Sequence, residues 1–119
     1  MGEYEKHIRM VREKMEAVRS AFEKEQHTVV GDLATKVVEQ LIEADAAKKN
    51  MHFGTHLERH QFSGDRYPKE INAAMKKVWF AYGDLGYDGI NGERAKRAMK
   101  SLDKILKYFE KIFGEEIEE

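Results

Sequence analysis

Four stretches of the chain place apolar residues at alternating spacings of four and three, which is the period of one face of an α-helix. They span residues 4–22, 29–44, 71–85 and 95–113. The second stretch has a wider apolar face, covering about half of the helix circumference, and a face that wide contacts two or more neighbours. We therefore expect the second helix to be central in the fold. No segment alternates apolar and polar residues with period two over a convincing length, so we predict no sheet.

Short connections between the four helices favour antiparallel neighbours, so the predicted fold class is an all-α, antiparallel four-helix bundle. The 119 residues fit one domain, covering residues 1–119. Thr28 is predicted to cap the second helix. Thr55 and Glu58 fit a capping box, which predicts a short extra helical segment of one or two turns between helices 2 and 3. Pro68 is expected near the start of the third helix, and Gly114 at the end of the fourth.

The broad apolar faces of the second and fourth helices have two possible partners. They can be satisfied within one chain, or part of the fourth helix can pack against a second copy. Because most small soluble oligomers are two-fold symmetric, the predicted oligomer is a homodimer.

Composition excludes several classes of function. There is no cysteine, which rules out disulfides, thiolate catalysis and cysteine-ligated metal sites and favours a reducing, cytoplasmic environment. The first residues are polar and acidic, unlike a signal or transit peptide, and no apolar run approaches the roughly 20 residues of a membrane span. The 21 basic and 22 acidic residues nearly cancel, so nucleic-acid binding would need a local basic patch. The acidic tail 115–119 is predicted to be frayed and solvated. No cofactor is expected.

Three histidines, His52, His56 and His60, follow one another at i, i+4 spacing, which on a continuous helix places them on one face. Two imidazoles at that spacing can bind zinc or a similar ion, and this gives a metal-binding hypothesis. The alternative is a solvated loop, because three such histidines span more than about 10 Å of helix axis. Glu39 and Glu43 also have helical spacing, and we predict that they lie on the polar face of the second helix.

Aromatic and basic residues gather around the third helix and the loop that follows it. Aromatic rings at this density can stack on bases while cations bind phosphates. More often such rings close one end of a bundle, and we favour that interpretation for most of them. The aromatic residues are Trp79, Phe80, Tyr82 and Tyr87, and the basic ones are Arg66, Lys76, Lys77, Arg94 and Lys96.

The order of these features resembles the HEPN superfamily, small helical bundles named for higher-eukaryote and prokaryote nucleotide-binding. The resemblance rests on the Ala- and Val-rich second helix, on Thr55-His56-Leu57 after it, and on Arg66-Tyr67-Pro68. A final helix with a small-residue start and a Leu/Ile-rich end is similar too. Together these features cover residues 4–113 loosely.

The resemblance implies a dimer, and in some members a ribonuclease that is the toxin of a toxin–antitoxin pair. That ribonuclease motif is Arg followed by four to six residues and then His. No histidine lies beyond His60, so no Arg from Arg66 onward can complete the motif, and Arg19 and His27 are separated by seven residues. A divergent ribonuclease using Arg19 and His27 stays as an alternative.

The resulting prediction is a non-catalytic, HEPN-like dimer that binds a nucleotide, RNA or a partner protein such as a nucleotidyltransferase. The candidate ligand-binding residues are Arg66, Tyr67 and Arg94, with the arginines recognising phosphate and Tyr67 stacking on a base.

Overall fold

The computed structural model describes residues 2–51, 55–83 and 92–118. Within these ranges the chain is all-helical, which confirms the predicted fold class at that level, and it contains no strand. The structure has five helices there rather than four main ones. They are α1 (Gly2–Glu23), α2 (His27–Ala47), α3 (His56–Arg66), α4 (Lys69–Gly83) and α5 (Glu93–Phe113).

Helix α2 is central, as its wide apolar face predicts, because it packs against α1, α3, α4 and α5. It forms a hairpin with α1 around the short turn 24–26. His7 Nδ1 lies 2.6 Å from Gln40 Oε1, and the Lys48 ammonium lies 4.7 Å from the Tyr4 ring centre. These contacts pair the start of α1 with the end of α2, so the two helices are antiparallel. Fully buried side chains in the core include Val11, Met15, Val18, Leu41, Met75, Leu102, Ile105 and Phe109.

Two predictions about helix ends are corrected. Helix α2 begins at His27 with Gln26 at the capping position and no side-chain cap, so Thr28 lies inside the first turn. The capping box of Thr55 and Glu58 is confirmed, with 3.2 Å from the Glu58 N–H to Thr55 Oγ1 and 3.2 Å from the Thr55 N–H to Glu58 Oε1. However, the helix that it starts has 11 residues, about three turns, and not one or two.

The ends of the later helices follow the sequence more closely. Tyr67 has an extended backbone, as residues before proline usually do, and ends α3. Pro68 comes directly before α4, and its carbonyl accepts from the N–H groups of Ile71 and Asn72. Gly114 ends α5 in the left-handed conformation, with φ 73°, and confirms the predicted stop.

The acidic tail differs most from its prediction. In residues 114–118, Ile117 is only 2% exposed, and the segment folds back on α1. The prediction of a frayed, solvated tail is therefore wrong for these residues. A lone isoleucine gains from burial, and arginines on α1 pair with the flanking carboxylates. Among the described helices, none is long and apolar enough to cross a membrane.

We expect Gly92→Ala to lower the free energy of unfolding by about 1–2 kcal/mol, because its left-handed backbone strains any residue with a side chain. Gly92 has φ +75°, and an added Cβ would lie 2.7 Å from His27 Cε1. Equilibrium urea unfolding measures the loss. The matched control is Gly64→Ala inside α3, where an added Cβ meets nothing within 4 Å and a gain of about 0.5–1 kcal/mol is expected. Equal effects of the two substitutions would contradict this account.

Candidate functional site

Two of the three predicted ligand-binding residues bind a buried carboxylate instead. Arg66 donates from Nε to Asp45 Oδ2 at 2.5 Å and from Nη2 to Oδ1 at 3.1 Å, which is a bidentate pair. The Tyr67 hydroxyl donates to the same Oδ2 at 2.6 Å. Asp45 is 2% exposed, and its hydrogen bonds tie α2 to the end of α3. Arg66 and Tyr67 thus satisfy an internal charge.

The ring of Tyr67 belongs to the core. Its side chain is 6% exposed, and it makes edge-to-face contacts with Phe62, Tyr108 and Phe109 at centroid distances of 5.2–6.1 Å. Burial and the hydrogen bond to Asp45 raise the pKa of Tyr67 above its ordinary value, so the hydroxyl stays protonated and donates. The ring has no free face for a base, and the predicted stacking role of Tyr67 does not fit this packing.

A second ionic contact joins α2 to α3. Glu39 and Glu43 are both buried, which corrects the prediction that they lie on a solvated polar face. Arg59 Nε lies 2.8 Å from Glu43 Oε2, and Arg59 Nη1 lies 3.8 Å from Glu39 Oε2. Buried carboxylates are seldom found without partners, and here α3 supplies a guanidinium.

The histidine hypothesis stays a prediction. His52 lies outside the described residues, and His56 and His60 are described only as backbone positions of α3. Among the described side chains, no group of three His, Asp or Glu residues is placed to hold a metal ion. In the aromatic set, Tyr87 and the side chain of Tyr82 are likewise outside what the structure describes, whereas Trp79 is half-buried against the core.

Helices α4 and α5 form the walls of a groove of about 340 Å³. Its lining positions on each helix follow helical spacing, so each helix presents one face to the groove. Small side chains give it room, and charged ones dominate the rest of its lining. The residues are Glu70, Ala73, Ala74 and Lys77 from α4 and Arg97, Lys100, Ser101 and Lys104 from α5.

A smaller pocket of about 90 Å³ continues the groove toward the start of α5. The two share Lys77 and Arg97, and the smaller pocket adds Phe80 and Arg94. Phe80 is 63% exposed, which is unusual for so large an apolar ring, and it lies beside three cations. Arg94 is therefore the one member of the predicted trio that the structure places in this basic groove.

The groove is electropositive. Lys77, Arg97, Lys100 and Lys104 face it together with one carboxylate, Glu70. In the described part of the chain, the side chains of these four cations make no hydrogen bond or ion pair. Four arginines elsewhere differ, because each of them binds a carboxylate. These are Arg12 with Glu115, Arg19 with Glu118 and Asp103, Arg59 with Glu43, and Arg66 with Asp45.

Sequence reasoning named Lys77 and Arg94 but missed Arg97, Lys100 and Lys104. A signal was present, because these three follow one another at spacings of three and four along α5 and so share one helix face. Two acidic residues of α5 are engaged elsewhere, with Asp103 on Arg19 and Glu110 accepting backbone hydrogen bonds from Ile117 and Glu118. The third, Glu93, precedes Arg97 by four residues and shares the helix face of the cations.

Both residues of the alternative ribonuclease contact other parts of the chain. The Arg19 guanidinium donates to Glu118 and Asp103, and these carboxylates raise the pKa of Arg19 above its ordinary value. The His27 ring packs against Gly92 at the start of α5. Cleavage by this pair stays a prediction.

Comparison of the chain with family models, with curated proteins and with solved structures finds no match. Function must therefore be inferred from the residues of this chain. The α4–α5 groove combines a cavity with four cations that make no hydrogen bond or ion pair in the described residues, and an exposed aromatic ring lies at its end.

Proposed function

We propose that the protein is a non-enzymatic binding protein whose α4–α5 groove takes the phosphate groups of RNA or of a nucleotide. The single observation that carries the proposal is the set of four groove cations, Lys77, Arg97, Lys100 and Lys104, which have no carboxylate partner in the described chain. Unpaired cations concentrated along one groove attract a polyanion even when the whole protein is nearly neutral.

The chemistry of the lining supports phosphate recognition. Ammonium and guanidinium groups donate to phosphate oxygens, and the small side chains of Ala73, Ala74 and Ser101 leave space for a backbone to approach. Phosphate is not expected to bind at the Glu70 end of the groove, because that carboxylate would repel it. Phe80, next to Arg94, offers a ring on which a base can stack.

The finer architecture is part of the same proposal. We infer an antiparallel, HEPN-like bundle that forms a homodimer, of the type that pairs with a nucleotidyltransferase or belongs to a toxin–antitoxin system. The support is the resemblance of the sequence features, together with the order of the helices and the capping box before α3. A binding role rather than cleavage follows from the lack of an Arg–His motif with the family's spacing.

Fluorescence anisotropy of a labelled single-stranded RNA at about 50 mM salt tests the proposal, because electrostatic binding is strong at low salt. We expect Lys100→Gln with Lys104→Gln to weaken binding about tenfold or more. The matched control is Lys24→Gln with Lys36→Gln, which removes the same charge from exposed positions outside the groove and leaves affinity unchanged.

Absence of binding at low salt would overturn the proposal. Equal losses in the two double variants would also overturn it, because the contact would then be a general charge effect. A chain that ignores RNA and nucleotides but binds a partner protein would support the protein-binding function in its place.

A further inference from the structure

The acidic segment that follows α5, residues 114–118, is held on the side of α1 in an ordered conformation. Gly114 turns the chain with φ 73°, and Glu110 Oε2 then accepts from the N–H groups of Ile117 and Glu118 at 2.8 and 3.2 Å. The segment has its own hydrogen bonds and a buried side chain, so it packs against α1 as a docked peptide would.

Arg12 of α1 recognises the backbone of this segment. Its Nε donates to the carbonyl of Ile117 at 2.9 Å, and its Nη2 lies 3.3 Å from the carbonyl of Glu116. The same Nη2 lies 3.3 Å from Glu115 Oε1, and the Tyr4 hydroxyl donates to Glu115 Oε2 at 2.9 Å. Contacts to two successive carbonyls are available to any extended peptide, whatever its side chains.

Arg19, two turns further along α1, recognises a side chain. Its Nε and Nη2 each donate to Glu118 at 2.6 Å, so the pair is bidentate and favours a carboxylate at that position. Between the two arginine contacts lies Ile117, 2% exposed and part of the hydrophobic core cluster. An aliphatic anchor flanked by acidic residues is therefore the pattern that this surface selects.

Space remains beside the docked segment. A cleft of about 500 Å³ borders Ile117 and Glu118, and its other walls come from α1. A peptide longer than the resident segment can extend along the same helix where its added residues are not acidic, because Glu16 and Glu23 also line the cleft. The α1 residues lining the cleft are Arg12, Glu16, Arg19, Ser20 and Glu23.

We propose that the face of α1 bearing Arg12 and Arg19 is a docking site for acidic peptides with one aliphatic anchor, and that the chain's own segment 114–118 occupies it as a displaceable internal ligand. The partner is an acidic segment of another protein with the pattern Glu-Glu-Ile-Glu. This site is separate from the α4–α5 groove. Both attract anions, but the α1 site takes the carboxylates and the aliphatic side chain of a peptide, whereas the groove takes phosphates.

Exchange is physically feasible because the ionic contacts are partly solvated. The side chains of Arg12 and Arg19 are 51% and 38% exposed, and ion pairs of that kind contribute at most about 1 kcal/mol each. The resident segment benefits from an effective concentration in the roughly millimolar range, so an external peptide competes poorly until that segment is weakened. Variants that weaken the docking of the segment should therefore bind an external peptide more tightly.

The test uses the full chain and a labelled synthetic peptide, Phe-Gly-Glu-Glu-Ile-Glu, the sequence of residues 113–118. We expect the Ile117→Ser, Glu118→Lys double variant to bind it at least tenfold more tightly than the native chain. Adding Arg19→Ala should remove that gain, and a peptide with serine in place of isoleucine should bind neither form. Equal affinity for the native chain and the double variant would overturn the proposal.

A second measurement applies even if the double variant folds poorly. The chain has no cysteine, so Glu116→Cys gives a single labelling position on the exposed side of the segment. Excess unlabelled peptide should displace the segment and lower the anisotropy of the attached fluorophore, and the serine-substituted peptide should not. An unchanged anisotropy at millimolar peptide would also overturn the proposal, with no bearing on RNA binding at the groove.

Discussion

Asp45→Ala should lower the free energy of unfolding by about 2–4 kcal/mol, because it removes a buried carboxylate that accepts hydrogen bonds from Arg66 and from the buried Tyr67 hydroxyl. Asp45 is 2% exposed and accepts from Arg66 twice and from Tyr67 once. Its loss leaves the Tyr67 hydroxyl buried without an acceptor and the Arg66 guanidinium without its carboxylate. Urea unfolding monitored by circular dichroism measures the change.

Two further variants separate charge from hydrogen bonding at this position. Asp45→Asn keeps an oxygen that accepts from Tyr67 but loses the negative charge. It should therefore lower the free energy of unfolding by less than Asp45→Ala does. Asp65→Ala, at an exposed position of α3, is the control and should change stability by about 0.5 kcal/mol or less. If Asp45→Ala costs no more than Asp65→Ala, the pairing with Arg66 and Tyr67 has no energetic importance.

The α2–α3 contact shows what periodicity can and cannot predict. The apolar face of α2 correctly predicts a central helix, because burial follows spacing along one helix. Helical spacing predicts Glu43 on the polar face and gives no prediction for Asp45, yet both carboxylates are buried with partners, as charged residues inside a protein usually are. Their partners, Arg59 and Arg66, are 16 and 21 residues away on another helix. No spacing rule within α2 can reveal such a pair.

Tyr67 illustrates the same limit for the predicted site. Its position between an arginine and a proline is typical of a surface turn, but α3 continues through Arg66 and ends only directly before Tyr67. The ring is buried because Tyr108 and Phe109 of α5 pack around it, about 40 residues later in the chain. Tertiary packing thus turned a predicted binding residue into a core residue, whereas Arg94 lines the groove.

The segment 114–118 and the groove face of α5 differ in how far their structure can be predicted from the sequence. In the segment 114–118, net acidity suggests solvation, and the one contrary signal is the isoleucine among glutamates. In α5 the row of cations at Arg97, Lys100 and Lys104 is visible from spacing alone. What spacing cannot supply is Lys77, which completes the groove only because α4 packs against α5.

The cations that pair with carboxylates and the cations of the groove differ in residue type as well as in position. The carboxylates on α2 and on the segment are paired with arginine, whose planar guanidinium matches a carboxylate with two hydrogen bonds. Three of the four groove cations are lysine, a strongly hydrated point charge that binds phosphate without demanding one geometry. This division is what a protein needs if some cations stabilise the fold and others bind a mobile polyanion.

Affinity for single-stranded RNA should therefore fall steeply with salt. Each phosphate neutralised by a groove cation releases counterions and contributes about 0.7 to the slope of log affinity against log salt. Four cations predict a slope of about −3, or roughly a 50-fold loss between about 50 and 200 mM salt. Anisotropy titrations at a series of salt concentrations measure the slope directly.

The salt dependence of the variants also shows which residues contact the phosphates. Lys100→Gln with Lys104→Gln should halve it to about −1.4, whereas Lys24→Gln with Lys36→Gln should leave it unchanged. Phe80→Ala should weaken binding without changing the slope, because stacking on a ring releases no counterions. A slope that the groove variant does not alter would place the phosphate contacts elsewhere on the protein. The response to salt, more than the affinity itself, thus distinguishes phosphate binding in this groove from nonspecific attraction.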